Sequence, residues 1–155
     1  MTEEEYMAFL LGGTKTGKLA TVRQDGRPHV VPVWFHMDGD KIVFNTGKHS
    51  VKGRNMLRDP RASITVDDQA PPYSFVTVEG TVSISEDREE TLHWATRIGG
   101  RYMGQDRAEE FGKRNATEGE LTVKITFSKI LAYKNVPTIR NSQSNGSTRK
   151  RQVAG

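Results

Sequence analysis

The first eleven residues carry the pattern of a short amphipathic helix. Thr2 and Glu5 have the spacing of a capping box, in which each side chain accepts a hydrogen bond from the other residue's backbone N–H. Met7, Leu10 and Leu11 then place apolar side chains near one face at helical spacing. Two glycines follow directly, and the helix is predicted to end there.

Beyond this helix, short segments of alternating or β-branched residues are separated by turn-forming residues, a pattern typical of β-strands. Asp25-Gly26 predicts a hairpin turn after the first segment, and Asp38-Gly39-Asp40 predicts the next turn. Gly80 predicts a bend or bulge in a later, longer segment. The pattern predicts six strands, at 18–24, 27–36, 41–46, 61–66, 74–85 and 121–133.

Few helices accompany these strands. Ser50 is a suitable N-cap for a helix that runs to about Arg58, because Pro60 disfavours helical backbone at Asp59. Further helices are predicted at 86–98 and 106–114. Because most neighbouring strands are expected to be antiparallel, we predict a mainly β fold, a six-stranded antiparallel barrel with peripheral helices. Its first two hairpins should form a three-stranded meander.

The second predicted strand contains a nearly continuous apolar run at 30–35. Such a run is typical of a strand that is buried on both faces or that contacts another subunit. We therefore expect a stable homodimer.

The composition changes after about residue 136. Residues 137–155, and above all 141–155, are rich in Ser, Asn, Gln, Gly and basic side chains and contain almost nothing apolar. Such a segment cannot offset the entropy cost of ordering. We predict one domain at 1–136, followed by a flexible polar and basic tail at 137–155.

Composition also narrows the cellular setting. No apolar run approaches the roughly 20 residues needed to cross a bilayer, and the acidic residues at 3–5 are unlike a secretory signal. The chain has no cysteine, which excludes disulfides and thiolate chemistry. We expect a cytoplasmic protein without a membrane partner. A net charge of +4 permits an anionic partner without identifying one.

No side-chain constellation for covalent or metal catalysis is evident. The four histidines, at 29, 36, 49 and 93, lack chelating spacing, so no metal site is expected. There is no phosphate-binding P-loop and no nucleophile elbow. We predict no catalytic side chain, and any redox chemistry would come from a bound cofactor.

Residues 46–54, which we call the basic turn, are the most distinctive stretch. They leave a predicted strand, turn at Gly47 and enter a helix at Ser50, while Lys48, Lys52 and Arg54 add positive charge. Free N–H groups and the helix dipole attract anions at a helix start. The alternative is a capped helix with a solvated basic face.

The chain resembles the pyridoxamine 5′-phosphate oxidase-like superfamily, and within it the actinobacterial branch of oxidoreductases that depend on the deazaflavin coenzyme F420. The likeness covers about residues 7–135. It rests on six blocks in order: Leu19-Ala20-Thr21-Val22, Asp25-Gly26-Arg27-Pro28, Val31-Pro32-Val33-Trp34-Phe35, Lys52-Gly53-Arg54-Asn55, Asp59-Pro60-Arg61-Ala62-Ser63 and Val78-Glu79-Gly80-Thr81-Val82.

The resemblance implies an FMN-binding split β-barrel that forms a homodimer, with two cofactor sites at the subunit interface and a small-molecule substrate. It implies that one strand runs beside the flavin-like ring, with Val31, Pro32, Val33 and Trp34. A second strand would meet the ring or ribityl chain with Asn45 and Thr46, and the helix start would hold the phosphate with Ser50, Val51 and Lys52. The partner subunit would close the site with Tyr73, Ser74, Phe75 and Val76. Lys48 and Arg54 remain for the deazaflavin's carboxylate tail, and Arg101-Tyr102 could line the substrate mouth.

One departure from the family bears on the cofactor. The oxidase that makes pyridoxal phosphate has an arginine where this chain has Val51, which argues against tight FMN binding and against that vitamin-processing activity. An F420-dependent reductase is therefore the first hypothesis. An FMN-dependent enzyme and a carrier without turnover are the alternatives. Nucleic-acid binding ranks last, because basic and aromatic residues are not interleaved along the strands.

Overall fold

The structure of the protein is a computed structural model that describes residues 1–136; the predicted tail at 137–155 lies outside the described residues. Seven antiparallel strands form one sheet. They are β1 (Gly17–Val22), β2 (Pro28–Val33), β3 (His36–Asp38), β4 (Lys41–Gly47), β5 (Arg61–Asp67), β6 (Phe75–Ser85) and β7 (Glu120–Tyr133).

Within residues 1–136, four α-helices lie at the periphery of this sheet, so the predicted fold class is confirmed. They are α1 (Glu3–Leu11), α2 (Val51–Arg58), α3 (Arg88–Met103) and α4 (Ala108–Asn115), with a short 3₁₀ turn at Gln105–Arg107 before α4. No helix within residues 1–136 is long and apolar enough to span a membrane.

Two local predictions at helix starts are confirmed. Thr2 and Glu5 form the capping box of α1, and Tyr6 and Leu10 from that helix are buried. Ser50 caps α2, whose last residue is Arg58. These features depend only on residues within one turn of each other, which is why the sequence alone predicts them.

The strand order is β2-β1-β5-β6-β7-β4-β3. Strand β7 has 14 residues and pairs with β6 on one side and β4 on the other, so it joins the two halves of the sheet. Its pairing with β6 shifts register at Glu79/Gly80, the predicted bulge. A core of apolar side chains from both halves, including Leu19, Phe44 and Ile125, fills the interior.

The predicted count of six strands was wrong, because the segment at 27–36 forms two strands. Strand β2 pairs with β1 as far as Val33, and β3 pairs with β4 from His36 onward. Between them, Trp34 and Phe35 cross from one edge of the sheet to the other, and Phe35 is fully buried. The predicted three-stranded meander was therefore also wrong, since β2 and β4 are not neighbours. The apolar run at 30–35 therefore covers both the end of β2 and the crossing to β3.

The helix predicted at 86–98 extends to Met103. Gly99 and Gly100 lie inside it because they allow a close approach of the next segment: a Cβ on Gly99 would lie 2.6 Å from Phe111 Cβ, and one on Gly100 would lie 2.7 Å from Gln105 Oε1. Packing thus overrides the low helix propensity of glycine.

The bulge at Gly80 generates a stability prediction. A Cβ at this position would lie 2.1 Å from the backbone oxygen of Thr126, and a backbone atom cannot rotate away. We expect Gly80→Ala to lower the free energy of unfolding by about 2–3 kcal/mol, measured by urea denaturation. The control is Gly39→Ala, at a turn with φ of +59° and open space around it, which should cost about 1 kcal/mol. Equal losses would contradict the steric account.

Candidate functional site

The basic turn is held in shape by the hydroxyl of Ser50. This oxygen accepts a hydrogen bond from Gly53 N (3.0 Å), donates one to Gly47 O (2.7 Å) and lies 3.0 Å from Thr46 Oγ1. A Cβ on Gly53 would lie only 2.2 Å from Gly47 O, so α2 begins directly against the end of β4. The Ser50 side chain is therefore engaged within the turn, and its contribution to a bound anion is to fix the helix start.

The first turn of α2 presents donors to the solvent. The amides of Val51 and Lys52 have no intrahelical acceptor at a helix start, and the helix dipole adds partial positive charge there. Lys52 is half-buried, while Val51 and Arg54 are exposed. Together these groups can hold a phosphate-sized anion by backbone N–H bonds and one ammonium group.

Lys48 is less available than Lys52. Its amide donates to Gly119 O (2.8 Å), and its ammonium group pairs with Glu86 Oε1 at 2.9 Å on the surface. An anion at Lys48 would have to compete with this ion pair. Of these two lysines, Lys52 is thus the more available to an anion.

Asn45 and Thr46 connect the turn to the rest of the sheet. The amide of Asn45 donates to Leu121 O and Thr122 Oγ1, both at 3.3 Å, and Thr46 is buried beside Ser50. Both side chains have protein partners in this chain. Their position at the end of β4 keeps the basic turn in register with the start of β7.

Glu120 is a charged neighbour of the basic turn that the sequence analysis missed. It pairs with Gly47 across β4 and β7, and its Oε2 lies 3.8 Å from the position of a Cβ on Gly47. This oxygen is buried and has no hydrogen-bond partner within residues 1–136. Burial raises the pKa of the Glu120 carboxyl above its ordinary value, and nearby Lys52 acts in the opposite direction. No sequence signal would have found this contact, because 73 residues separate the two positions.

A cleft of about 560 Å³ opens beside the turn. It lies between the turn, the start of α3 and the loop that precedes β7. Its charged and titratable lining residues are Lys48, His49, Glu86, Arg88, Glu118 and Glu120. Because acids and bases are mixed there, the cleft suits a polar ligand with both kinds of group more than an apolar one.

The crossing between β2 and β3 is fixed by the end of α3. Arg101 donates to Phe35 O (2.7 Å) and to Leu10 O (2.8 Å). The Tyr102 hydroxyl accepts from Phe35 N (3.3 Å) and donates to Lys15 O (2.6 Å). These bonds give both residues a structural task in addition to the predicted one at the substrate mouth.

The contact between the end of α3 and the crossing also forms an aromatic wall. The ring of Trp34 stacks on Tyr102 with centroids 5.0 Å apart and planes only 2° from parallel. Phe111 packs against the other part of Trp34 at 6.3 Å. Because 36% of Trp34 remains exposed, part of this wall is open to a ligand.

The other predicted contacts on β2 divide between its two faces. Val30 and Pro32 are exposed, Val31 is half-buried, and Val33 belongs to the core. Only the backbone of Val33 could therefore meet a ligand. The exposed face of β2 is apolar, and Val30 keeps 63% of its surface accessible.

Residues 73–76, predicted to approach from a partner subunit, lie where β6 begins: Tyr73 and Ser74 precede the strand, and Phe75 is its first residue. Tyr73 is exposed with φ of +56°, the Ser74 hydroxyl donates to Lys134 O, and Phe75 stacks on Tyr133 at 5.1 Å. Val76 is fully buried in the core, so its side chain is not available to a ligand.

Within one chain, residues 73–76 and the basic turn lie far apart along β7. Phe75 pairs with Tyr133 at the last residue of that strand, whereas Gly47 pairs with Glu120 at its first. A 14-residue strand extends for roughly 40 Å. A single small ligand that touches both segments therefore needs two chains.

Known proteins resemble this one in sequence and structure. The family model for pyridoxamine 5′-phosphate oxidase matches residues 2–131. A pyridoxine/pyridoxamine 5′-phosphate oxidase of Cupriavidus metallidurans is 33% identical over 102 residues, which cover 65% of this chain and 48% of the relative. The match thus spans about half of that relative's length.

Two solved structures share the fold. A conserved hypothetical protein from Mycobacterium tuberculosis superposes with a TM-score of 0.75 at 24% identity, over 93% of this chain and 95% of that one. An F420 reductase superposes with a TM-score of 0.62 at 26% identity, over 79% of this chain and 94% of that one.

The half-buried carboxyl of Glu120 generates a pH prediction. Its pKa is raised in the folded state, so the folded protein binds more protons than the unfolded chain as the pH passes its ordinary value of 4.5. Its stabilising contribution is fully present below that pH and is lost as the pH rises through the folded pKa. Glu120→Gln should therefore gain in melting temperature relative to wild type as the pH rises from 4.5 into the neutral range.

Calorimetric melting of both proteins across this range checks the expectation. Glu118→Gln is the matched control, since Glu118 is exposed in the loop that precedes β7 and the same chemical change is made outside the strand pairing. A Glu120→Gln difference that stays constant with pH would contradict the account.

Proposed function

Because the chain belongs to the pyridoxamine 5′-phosphate oxidase family, whose members include oxidases and reductases, we propose that it is an F420-dependent oxidoreductase. It would transfer a hydride between the deazaflavin and a small organic substrate in the cytoplasm. The observation that carries the proposal is the basic turn, where the free amide donors, the helix dipole and Lys52 all belong to the first turn of α2.

The residues present fit a phosphorylated flavin-like cofactor. Lys52 and the amides of Val51 and Lys52 would hold the phosphate, and Asn45 and Thr46 would lie toward the ribityl chain. Val31, Pro32 and the Trp34 wall would flank the ring. When bound, reduced F420 supplies a hydride as a two-electron donor to an electron-poor double bond or carbonyl. The side chains of this protein would bind and orient the cofactor and the substrate, and they would exclude water from the site.

The choice of F420 over FMN rests on charge and on similarity. Val51 supplies only its backbone N–H where the oxidase that makes pyridoxal phosphate has an arginine, so a second strong side-chain partner for a terminal phosphate is missing. Lys48 and Arg54 flank the helix start and suit an extended anionic tail. The likeness to an F420 reductase points the same way. An FMN-dependent enzyme of the same fold and a carrier without turnover remain the alternatives.

We also propose that the working unit is a homodimer. Residues 73–76 and the basic turn lie at opposite ends of β7, so a site that uses both needs a second copy of the chain. The exposed apolar face of β2 with Val30 and Trp34 offers surface for that contact.

Cofactor titration tests the anion site. Lys52→Ala removes a charge-assisted hydrogen bond and should weaken F420 binding by about 2 kcal/mol or more, roughly thirtyfold. Lys48→Ala should cost about 1 kcal/mol or less, because Lys48 is exposed and already paired. Melting temperatures without cofactor should match wild type for both variants. Calorimetric titration with F420 and with FMN measures these effects.

The two titrations separate the parts of the proposal. Unchanged affinity in Lys52→Ala would refute the phosphate role of Lys52. A clear wild-type preference for FMN would overturn the deazaflavin assignment and leave the fold intact.

Analytical ultracentrifugation tests the dimer. At micromolar concentration the wild type should sediment at twice the chain mass of 17.4 kDa. Val30→Glu should shift it to a monomer and weaken F420 binding, because it places a charge on the exposed apolar face of β2. Leu92→Glu is the control: Leu92 is 43% exposed on α3, and its variant should remain dimeric. A monomeric wild type in the presence of F420 would refute the shared site.

A further inference from the structure

Glu120 places an acidic side chain next to the basic turn, the proposed anion site. Its Cα pairs with that of Gly47, and Gly47 O accepts hydrogen bonds from both the amide and the hydroxyl of Ser50. The Glu120 side chain therefore lies against the strand end on which the helix start is built. Its Oε2 is buried and has no hydrogen-bond partner within residues 1–136.

The charges around Glu120 come from four segments. Lys52 on α2 is the base that interacts with it, while Lys48 in the turn is paired with Glu86 at 2.9 Å. The remaining titratable groups of the cleft are His49 in the turn, Arg88 at the start of α3 and Glu118 in the loop before β7. Lys52, in the first turn of α2, is thus the base whose charge acts on the Glu120 carboxyl.

We propose that Glu120 is a specificity-determining residue, which makes the basic turn select a singly charged phosphodiester over a doubly charged phosphomonoester. This inference rests on the proposed role of Lys52 and the first turn of α2 as the phosphate site. To that role it adds the chemical class of the phosphate, a phosphodiester, and names Glu120 as the residue that disfavours a phosphomonoester.

The net charge around the start of α2 suits an anion with one negative charge better than an anion with two. The helix start supplies about half a positive charge and Lys52 supplies one, whereas the Glu120 carboxylate subtracts one. A phosphomonoester carries nearly two negative charges above its second pKa of about 6, and a phosphodiester carries one. The second charge of the monoester would meet the carboxylate in a partly buried setting, where charges are screened less than in water. The deazaflavin F420 holds its phosphate in a diester, and FMN ends in a monoester.

A matched pair of ligands tests the idea. The probes are 5-deazaflavin mononucleotide, a phosphomonoester, and its monomethyl ester, a phosphodiester with the same ring and ribityl chain. At about pH 8 the wild type should bind the methyl ester about tenfold more tightly. In Glu120→Gln the ratio should fall toward one, mainly because the monoester binds more tightly. Glu118→Gln, the control in the same cleft, should keep the wild-type ratio within about twofold.

A second measurement needs no variant. Between about pH 8 and about pH 5 the monoester gains a proton and becomes a monoanion, so the wild-type ratio should contract. The ratio in Glu120→Gln should change much less over the same range.

The outcomes separate the two proposals. If both ligands bind and Glu120→Gln leaves their ratio unchanged, this inference is refuted and the phosphate site stands. A wild-type preference for the monoester would also refute it, and would indicate that a protonated Glu120 donates a hydrogen bond to the dianion. If neither ligand binds to the wild type, or Lys52→Ala weakens neither, the proposed anion site fails and this inference fails with it.

Discussion

Strand β7 hydrogen-bonds to β6 along one side and to β4 along the other, and most of the molecule depends on this double pairing. At its first residue, it sets Glu120 beside Gly47 and fixes where α2 begins. At its last residue, it sets Tyr133 beside Phe75 and fixes the start of β6. The two segments that the family resemblance assigns to one cofactor are thus held apart by the length of a strand. The proposed site, which uses both segments, would therefore need a second chain.

The electrostatics of the basic turn follow from the same pairing. A helix start with Lys52 would by itself attract any phosphate, including inorganic phosphate. The pairing of β4 with β7 adds the carboxyl of Glu120, which burial destabilises as an anion. Such a site would attract phosphates less strongly overall, but it would discriminate between phosphates of different charge. The neighbouring cleft likewise combines acidic and basic side chains at the surface.

Local sequence predicted the parts of the fold that local physics controls. The caps at Thr2 and Ser50 and the bulge at Gly80 all depend on residues close together in the chain or on backbone conformation. The crossing at Trp34-Phe35 was missed because an apolar run reads the same whether a strand continues or changes partners. Glu120 was missed because its environment depends on the register of two distant strands. Its place beside an anion site can be read only from the fold.

Gly53, in the basic turn, shows that a residue without a side chain also shapes this site. Gly53 has to be a glycine because a Cβ there would lie 2.2 Å from Gly47 O. That oxygen also accepts from the Ser50 amide and hydroxyl, so any shift of Gly53 would loosen the cap as well. The direction of the Val51 and Lys52 amides is therefore set by a contact between backbones. With the donors fixed in this way, the side chains at 52 and 120 are free to set how much charge the site accepts.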